Sequence, residues 1–160
     1  MEREDSGLAI FDRVVVALDG SEIGEAALSK AVELAAAVGA PIHLLRVIDL
    51  GRLEQYGAFG LALEASALDL ALQDERTATR DYLEATQERL VGQVSAVTTE
   101  TREGMAAREI VGSLLPTDLL VMASHGRTGI KRWFLGSVAE EVVRHAPTPV
   151  MLIRAQEAQD

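Results

Sequence analysis

The stretch RVVVALDGSE, residues 13–22, joins a strand-like pattern to a helix-like one, and the rest of the fold can be worked out from it. Residues 14–18 are all apolar and do not alternate with polar residues, which is typical of a strand covered on both faces in a parallel sheet. Asp19, Gly20 and Ser21 follow as a candidate turn before a run with helical periodicity. The stretch therefore predicts a buried strand, a short loop and a helix.

The same pairing recurs along the chain. Further strand-like runs are PIHLLRVI (41–48), VSAVTTE (94–100), LLVMA (119–123) and PVMLI (149–153). The run at 94–100 is β-branched but more polar than the others, so we expect it at an edge of the sheet. Helical patterns lie between the runs, at residues 21–39, 64–90, 105–115 and 137–145. This alternation predicts an α/β domain, in which helices cover both faces of a parallel sheet.

One segment, GRLEQYGAFGLAL (51–63), lies outside the alternation and contains three glycines. It is a candidate lid over a ligand site. A connection with no role of its own is an equally good interpretation.

Composition limits the kinds of partner. The 160 residues fit a single domain, 1–160, and 48% of them are hydrophobic. The net charge is -10, with 8 basic and 18 acidic groups in the first hundred residues, so binding to nucleic acid or to an anionic membrane is not expected. There is no cysteine, and no apolar run approaches the roughly 18 residues of a membrane span. We expect a cytoplasmic protein.

The candidate ligand site lies where the predicted strands end, because open α/β sheets bind ligands beyond the carboxyl ends of their strands. Three loops meet this condition: 19–21, 47–49 and the segment ASHGRTGIKRWFLGS at 123–137. The chain has neither the Walker A pattern nor the dinucleotide pattern G-x-G-x-x-G. A phosphate can still be held by a glycine loop and a helix N-terminus, and Gly126, Gly129 and Gly136 offer both.

Several of these residues have a structural interpretation beside the functional one. Ser137 begins SVAE, which matches the capping box S-x-x-E and needs no ligand. Asp19 could contact a ribose hydroxyl or a phosphate-bound Mg²⁺, or it could cap the first helix, which Ser21 could also do. His125 is most simply a hydrogen-bonded turn residue, since no second histidine or cysteine lies near it to make a metal site.

The positive charges of the 123–137 segment are also ambiguous. Arg127, Lys131 and Arg132 stand in a stretch without acidic residues, from 119 to 139. They could meet an anionic ligand or could simply form a solvated face. Catalysis has little support, because no G-x-S-x-G elbow surrounds Ser137 and no pair of carboxylates has a spacing that suggests acid and base roles.

The glycine spacing resembles that of the universal stress protein family, whose nucleotide-binding members carry G-x2-G-x9-G-[ST] after the fourth strand. Here Gly126, nine further residues, Gly136 and Ser137 match, whereas Ala123 stands in place of the first glycine. The resemblance extends from RVVVALDGSE through LLRVID to GSVAEEVVRHAPTPVMLIR, about residues 12–154. It implies a five-stranded parallel sheet in the order 3-2-1-4-5, a Rossmann-like α/β/α sandwich.

The resemblance also implies a ligand and a set of contacts. The ligand is ATP with Mg²⁺ on its phosphates, in a regulatory module with at most slow hydrolysis. The implied nucleotide-binding residues are Ala17, Asp19, Val47, Met122, Ala123, Gly126, Arg127, Gly136, Ser137 and Val138, with Asp19 also the candidate metal ligand. The resemblance further implies a homodimer, in which the last strand, here 149–153, pairs with the same strand of the second copy.

Ala123 is the departure that bears on binding. An alanine keeps the backbone N–H and adds one methyl group, so we expect it to be tolerated if the local φ is negative. It is excluded if φ is positive or if a phosphate oxygen packs against that Cα. Two alternatives to a regulatory ATP-binding module remain at this point. One is a homodimeric interaction scaffold that needs no nucleotide, and the other is a nucleotide-using transferase or hydrolase of related fold.

Overall fold

A computed structural model describes residues 10–51, 65–125 and 135–154. The strands are β1 (Arg13–Ala17), β2 (Ile42–Asp49), β3 (Val97–Gly104), β4 (Asp118–Ala123) and β5 (Val150–Ile153). Four helices alternate with them: α1 (Glu22–Val38), α2 (Ala65–Leu90), α3 (Ala106–Ser113) and α4 (Ser137–His145). The strands form one parallel sheet in the order β3-β2-β1-β4-β5, which confirms the predicted fold class and strand order.

The core has two halves, one on each face of the sheet. Val14 and Val16 of β1 point to the face covered by α1 and α2, whereas Val15 packs on the other face with α3 and α4. All three valines are fully buried. The unbroken apolar run of β1 is thus explained, because successive side chains of a strand alternate between two faces that are both covered.

The predicted boundaries hold at some ends and shift at others. Gly39 ends α1 in the left-handed conformation, with φ 71°, as its position after the apolar stripe predicts. Strand β3 begins at Val97, three residues later than the β-branched run, and continues to Gly104. It lies at an edge of the sheet, as expected from its polar character.

The amino ends of β1 and β4 are joined through one buried carboxylate. Asp118 is fully buried and accepts hydrogen bonds from Arg13 Nε at 2.8 Å, Arg13 Nη2 at 3.0 Å and the Leu115 backbone N–H at 2.7 Å. The Thr148 hydroxyl donates to the backbone carbonyl of Asp118, which places the segment that leads into β5. These contacts fix the starting points of three strands.

The edge strand β3 is held to β2 by a polar cluster. His43 of β2 is buried, with Nδ1 2.8 Å from the Thr98 hydroxyl and Nε2 2.9 Å from a Glu100 carboxylate oxygen. Arg102 donates to the other oxygen of Glu100 at 2.6 Å. Burial alone would raise the pKa of Glu100, but the hydrogen bonds from Arg102 and His43 outweigh it and hold the pKa below its ordinary value.

Of the helices in the described ranges, none is both long enough and apolar enough to cross a membrane. The longest, α2, spans 26 residues but carries charged side chains along its length. The described helices instead pack on the sheet.

Candidate functional site

The candidate site lies at the carboxyl ends of β1 and β4, which are neighbours in the sheet. Ala17, the last residue of β1, pairs with Met122 of β4 on one side and with Leu45 of β2 on the other. From β1 the chain crosses to β2, whereas β4 leads outward to β5, so the strand order reverses between β1 and β4. Such a reversal opens a crevice between the loops that leave the two strands.

The loop after β1 holds Asp19 in a defined orientation. The backbone N–H and the hydroxyl of Ser21 both donate to Asp19 Oδ1, at 3.0 and 2.6 Å. Ser21 is also the N-cap of α1, because its Oγ accepts from the Gly24 N–H at 3.0 Å. Of the two capping interpretations, the one with Ser21 is therefore correct, and Asp19 acts on that cap from outside the helix.

Gly24, in the first turn of α1, packs against this loop, and our sequence analysis did not single it out. A Cβ at position 24 would lie 3.0 Å from Asp19 Oδ1 and 3.4 Å from Ser21 Oγ. A larger residue would therefore press on the carboxylate and on the N-cap together. The only local signal is a glycine placed three residues after a helix-capping serine, where an ordinary helix former would be preferred.

The end of β4 and the first residue of the loop that follows it are buried. Met122, Ala123 and Ser124 are all buried, and the Ser124 N–H donates to the carbonyl of Ile153 in β5 at 2.8 Å. Ala123 is the last residue of β4 and lies opposite Ile153. Strand conformation has a negative φ, so the alanine that replaces the first motif glycine is free of backbone strain.

The chain returns to this point at Gly136. Its N–H donates to the carbonyl of Ser124 at 2.9 Å. A Cβ at position 136 would lie 3.1 Å from that carbonyl oxygen and 3.5 Å from the Cα of His125. Both contacts are with backbone, so a side chain at position 136 requires that backbone to move by a few tenths of an ångström, and glycine favours the close approach.

Helix α4 starts differently from the capping-box prediction, which is wrong. Gly136 is the N-cap, so Ser137 is the first helical residue and its side chain is exposed. Glu140 is paired with Arg144, four residues later, at 2.7 Å. The hydrogen bond between the Gly136 N–H and the Ser124 carbonyl fixes where α4 begins. The first turn of α4 has no side-chain cap.

The apolar candidate residues share one cluster. Met122 is buried on the face covered by α3 and α4, and Ala17, Val47 and Val138 pack against the same cluster while remaining partly exposed. The residues implied by the resemblance lie on three strands, β1, β2 and β4, and on helix α4. The fold brings these four elements together here. They form an apolar floor beside the two loops.

Other candidate residues lie outside the described part of the chain. These are Gly126, Gly129, Arg127, Lys131 and Arg132 of the β4–α4 connection, and all of the segment 51–63 except Gly51. Within the described ranges, no group of three or more histidine or acidic side chains is placed to hold a metal ion. In those ranges the carboxylate closest in sequence to the ends of β1 and β4 is that of Asp19, two residues after the end of β1.

A family model described as the universal stress protein family matches residues 10–154. The chain belongs to the universal stress protein family. A relative among the curated proteins, a universal stress protein of Methanocaldococcus jannaschii, is 29% identical over 154 residues, covering 93% of this chain and 85% of its own. A solved structure, the universal stress protein UspA from Lactobacillus plantarum, is 25% identical with a TM-score of 0.77, covering 91% of this chain and 99% of its own.

Two further solved structures of universal stress proteins are named as nucleotide complexes. One is in complex with cAMP, at 22% identity and a TM-score of 0.59, and covers 91% of this universal stress protein and 98% of its own chain. The other, from Archaeoglobus fulgidus, is in complex with dAMP, at 21% identity and a TM-score of 0.53, and covers 90% and 98% respectively. At these identities the likeness to the present protein is one of fold.

Proposed function

We propose that this universal stress protein binds ATP, with Mg²⁺ on the phosphates, as a cytoplasmic regulatory module with at most slow hydrolysis. The observation that carries the proposal is the closure of the β4–α4 connection, where the Gly136 N–H meets the Ser124 carbonyl at 2.9 Å. Because a Cβ at Gly136 would contact that carbonyl at 3.1 Å, the loop ends in bare backbone beside an uncapped helix start. The Gly136 N–H is used in this closure, so the backbone N–H groups that would meet a phosphate are those of the first turn of α4, from Ser137 onward.

In this proposal the adenine, the ribose and the phosphates contact different parts of the site. Val47 offers its backbone to the adenine, and Met122 passes beneath the ribose and the phosphates, with Ala17 beside it at the end of β1. Val138, in the first turn of α4, joins the residues that hold the phosphates. The phosphate-side residues are Ala123, Gly126, Arg127, Gly136 and Ser137. The cAMP and dAMP named for two neighbours of the same fold are both adenine nucleotides, which supports an adenine-containing ligand.

Asp19 fits a role toward the ribose hydroxyls or the metal. Two hydrogen bonds from Ser21 orient its Oδ1. The residue itself is the second after the end of β1. Mg²⁺ in nucleotide sites is commonly held by one or two carboxylates together with phosphate oxygens, so a single carboxylate is a sufficient protein ligand set. When bound, Mg²⁺ neutralises phosphate charge.

Titration with Mg-ATP by calorimetry and by thermal unfolding tests the proposal. Ligand at 100 times its Kd should add about 2.7 kcal/mol to the free energy of unfolding. Gly136→Ala should weaken ATP binding, because its methyl group displaces the backbone that closes the loop. The matched control is Gly112→Ala in α3, where a Cβ would meet only the Arg102 guanidinium at 3.5 Å.

Two outcomes would contradict the proposal. One is a wild-type protein that shows no heat and no change in melting temperature at millimolar Mg-ATP. The other is a Gly136→Ala variant that binds as well as Gly112→Ala. Nucleotide-independent capture of a protein partner by the wild type would then favour the interaction scaffold.

We also propose a homodimer that pairs β5, in the segment 149–153, with its copy. Among the described residues, β5 has one strand neighbour, β4, and its other edge is open. Met151 of β5 is 38% exposed and Val143 of α4 is 47% exposed. An apolar edge strand of this kind needs a cover or a partner, because its free backbone groups can template pairing. Sedimentation analysis of the purified protein distinguishes a dimer from a monomer.

A further inference from the structure

His125, the second residue after β4, has only one of its two ring nitrogens in a hydrogen bond. Its Nδ1 lies 3.0 Å from the hydroxyl of Ser124, which is itself buried. Its Nε2 is buried as well, and it has no hydrogen-bond partner among the described residues. Buried polar atoms in native proteins are almost always paired, so this nitrogen calls for an explanation.

The pairing with Ser124 assigns the proton on the ring. If Nδ1 carried the proton, the Ser124 hydroxyl hydrogen and the Nε2 lone pair would both be buried without partners. If the hydroxyl donates to Nδ1 instead, its hydrogen is satisfied and the ring proton resides on Nε2. The second arrangement leaves one group unpaired rather than two, so Nε2 is an N–H donor that lacks an acceptor.

The position of the ring relates this donor to the loop closure. A Cβ at Gly136 would lie 3.5 Å from the Cα of His125, so His125 is next to the point where the chain returns to β4. Gly136 is also the residue from which α4 starts. The unpaired N–H therefore belongs to a residue whose backbone adjoins the loop closure that the proposed function assigns to the phosphates.

We propose that His125 is a phosphate-binding residue, whose Nε2–H donates to an oxygen of the phosphate chain of the nucleotide. Ser124 is then a positioning residue, since its hydroxyl fixes the tautomer that keeps the proton on Nε2. An anionic oxygen is the acceptor that gains most from a buried donor, because hydrogen bonds to charged groups are stronger than neutral ones. This inference rests on the proposed function.

The test is a series of ligands that differ only in phosphate: adenosine, AMP, Mg-ADP and Mg-ATP. His125→Ala should weaken the binding of at least one phosphate-bearing ligand by roughly 10- to 100-fold and leave adenosine binding unchanged. His125→Gln keeps an N–H donor and should recover part of the loss. The matched control is His145→Ala, since His145 is an exposed histidine at the end of α4.

Ser124→Ala gives a readout that a purely structural role would not produce. Without the hydroxyl the ring is no longer restricted to one tautomer, so the loss should again grow with phosphate but be smaller than for His125→Ala. Equal losses for adenosine and Mg-ATP would overturn the inference.

An unchanged affinity of His125→Ala for every phosphate-bearing ligand would also overturn the inference. A wild-type protein that binds none of the four ligands is a separate result. It would remove the proposed function, and this inference with it.

Discussion

The two edges of the sheet are built on opposite principles. Strand β3 has eight residues with threonines and charged side chains, and the polar cluster of His43, Glu100 and Arg102 holds it to its neighbour. Strand β5 has four residues, all apolar, and its start is fixed by the buried contacts around Asp118. The comparison teaches that polar and charged side chains protect one edge against pairing, whereas the other edge is short and has no charged side chain to do so.

Removal of the buried anchor at the β5 side should have the largest effect. Asp118→Ala removes the carboxylate that pairs with the Arg13 guanidinium and accepts from the Leu115 N–H, and leaves Arg13 only its bond to the Ser113 carbonyl, so we expect a loss of about 3 kcal/mol in the free energy of unfolding. Urea unfolding followed by circular dichroism measures it. Asp81→Ala on the exposed side of α2 is the control, and a loss no larger than that of the control would contradict the role of Asp118.

A charge on the apolar edge should break the proposed dimer. Met151→Lys places an ammonium group in the middle of β5, and we expect dimerisation to weaken by about 2 kcal/mol, roughly 30-fold in Kd. Sedimentation velocity over a range of concentrations measures the shift. The matched variant on the other edge, Thr101→Lys in β3, should leave the oligomeric state as in the wild type, and dissociation by both variants would make the two edges equivalent.

The polar edge should depend on pH through Glu100. Its pKa in the folded protein is below its ordinary value, so ionised Glu100 stabilises the fold above the unfolded pKa of about 4.3, and this stabilisation disappears as the pH falls through the folded pKa. Glu100→Gln should therefore lose roughly 0.5–1 kcal/mol at neutral pH and progressively less below pH of about 4. Unfolding curves across this range measure the difference.

Two results would weaken the role assigned to Glu100. One is a loss that stays constant from neutral to acidic pH. The other is an equal loss in Glu84→Gln, since Glu84 is exposed on α2 and has no ion pair among the described residues.

The smallest effect is expected from the exposed ion pair on α4, the helix that leads into β5. Arg144 and Glu140 are 2.7 Å apart, but both side chains are more than half exposed, at 67% and 52%. Arg144→Ala should change the free energy of unfolding by less than about 0.5 kcal/mol. Differential scanning calorimetry is sensitive enough to detect a larger change, which would show that surface charge also stabilises the β5 side.

The sequence predicted the strands better where burial alone determines them. The apolar run 119–123 lies within β4, and the run 14–18 matches β1 except for Leu18, one residue past its end, because both faces of these strands are covered. The strand order came from the family resemblance. The start of β3 was placed three residues early, since Val94 packs against the core from a loop and gives the same apolar signal as a strand residue.

The candidate site was predictable in its location but not in its details. The capping-box pattern at Ser137 was misread because the start of α4 is set by a contact between Gly136 and Ser124, which are distant in sequence. The contact of Gly24 with Asp19 depends likewise on how the turn folds back. Local patterns carry no information about such approaches.

The bond between Arg13 and Asp118 joins residues 105 positions apart, and this separation has a consequence for biosynthesis. Strand β1 is made first and lies at the centre of the sheet, yet its β4 neighbour is translated only after β2 and β3. At about 5–20 residues per second, Asp118 leaves the ribosome several seconds after Arg13. During that interval one side of β1 has no partner, so the nascent chain passes through a stage in which a central strand, apolar from Val14 to Ala17, is temporarily an edge.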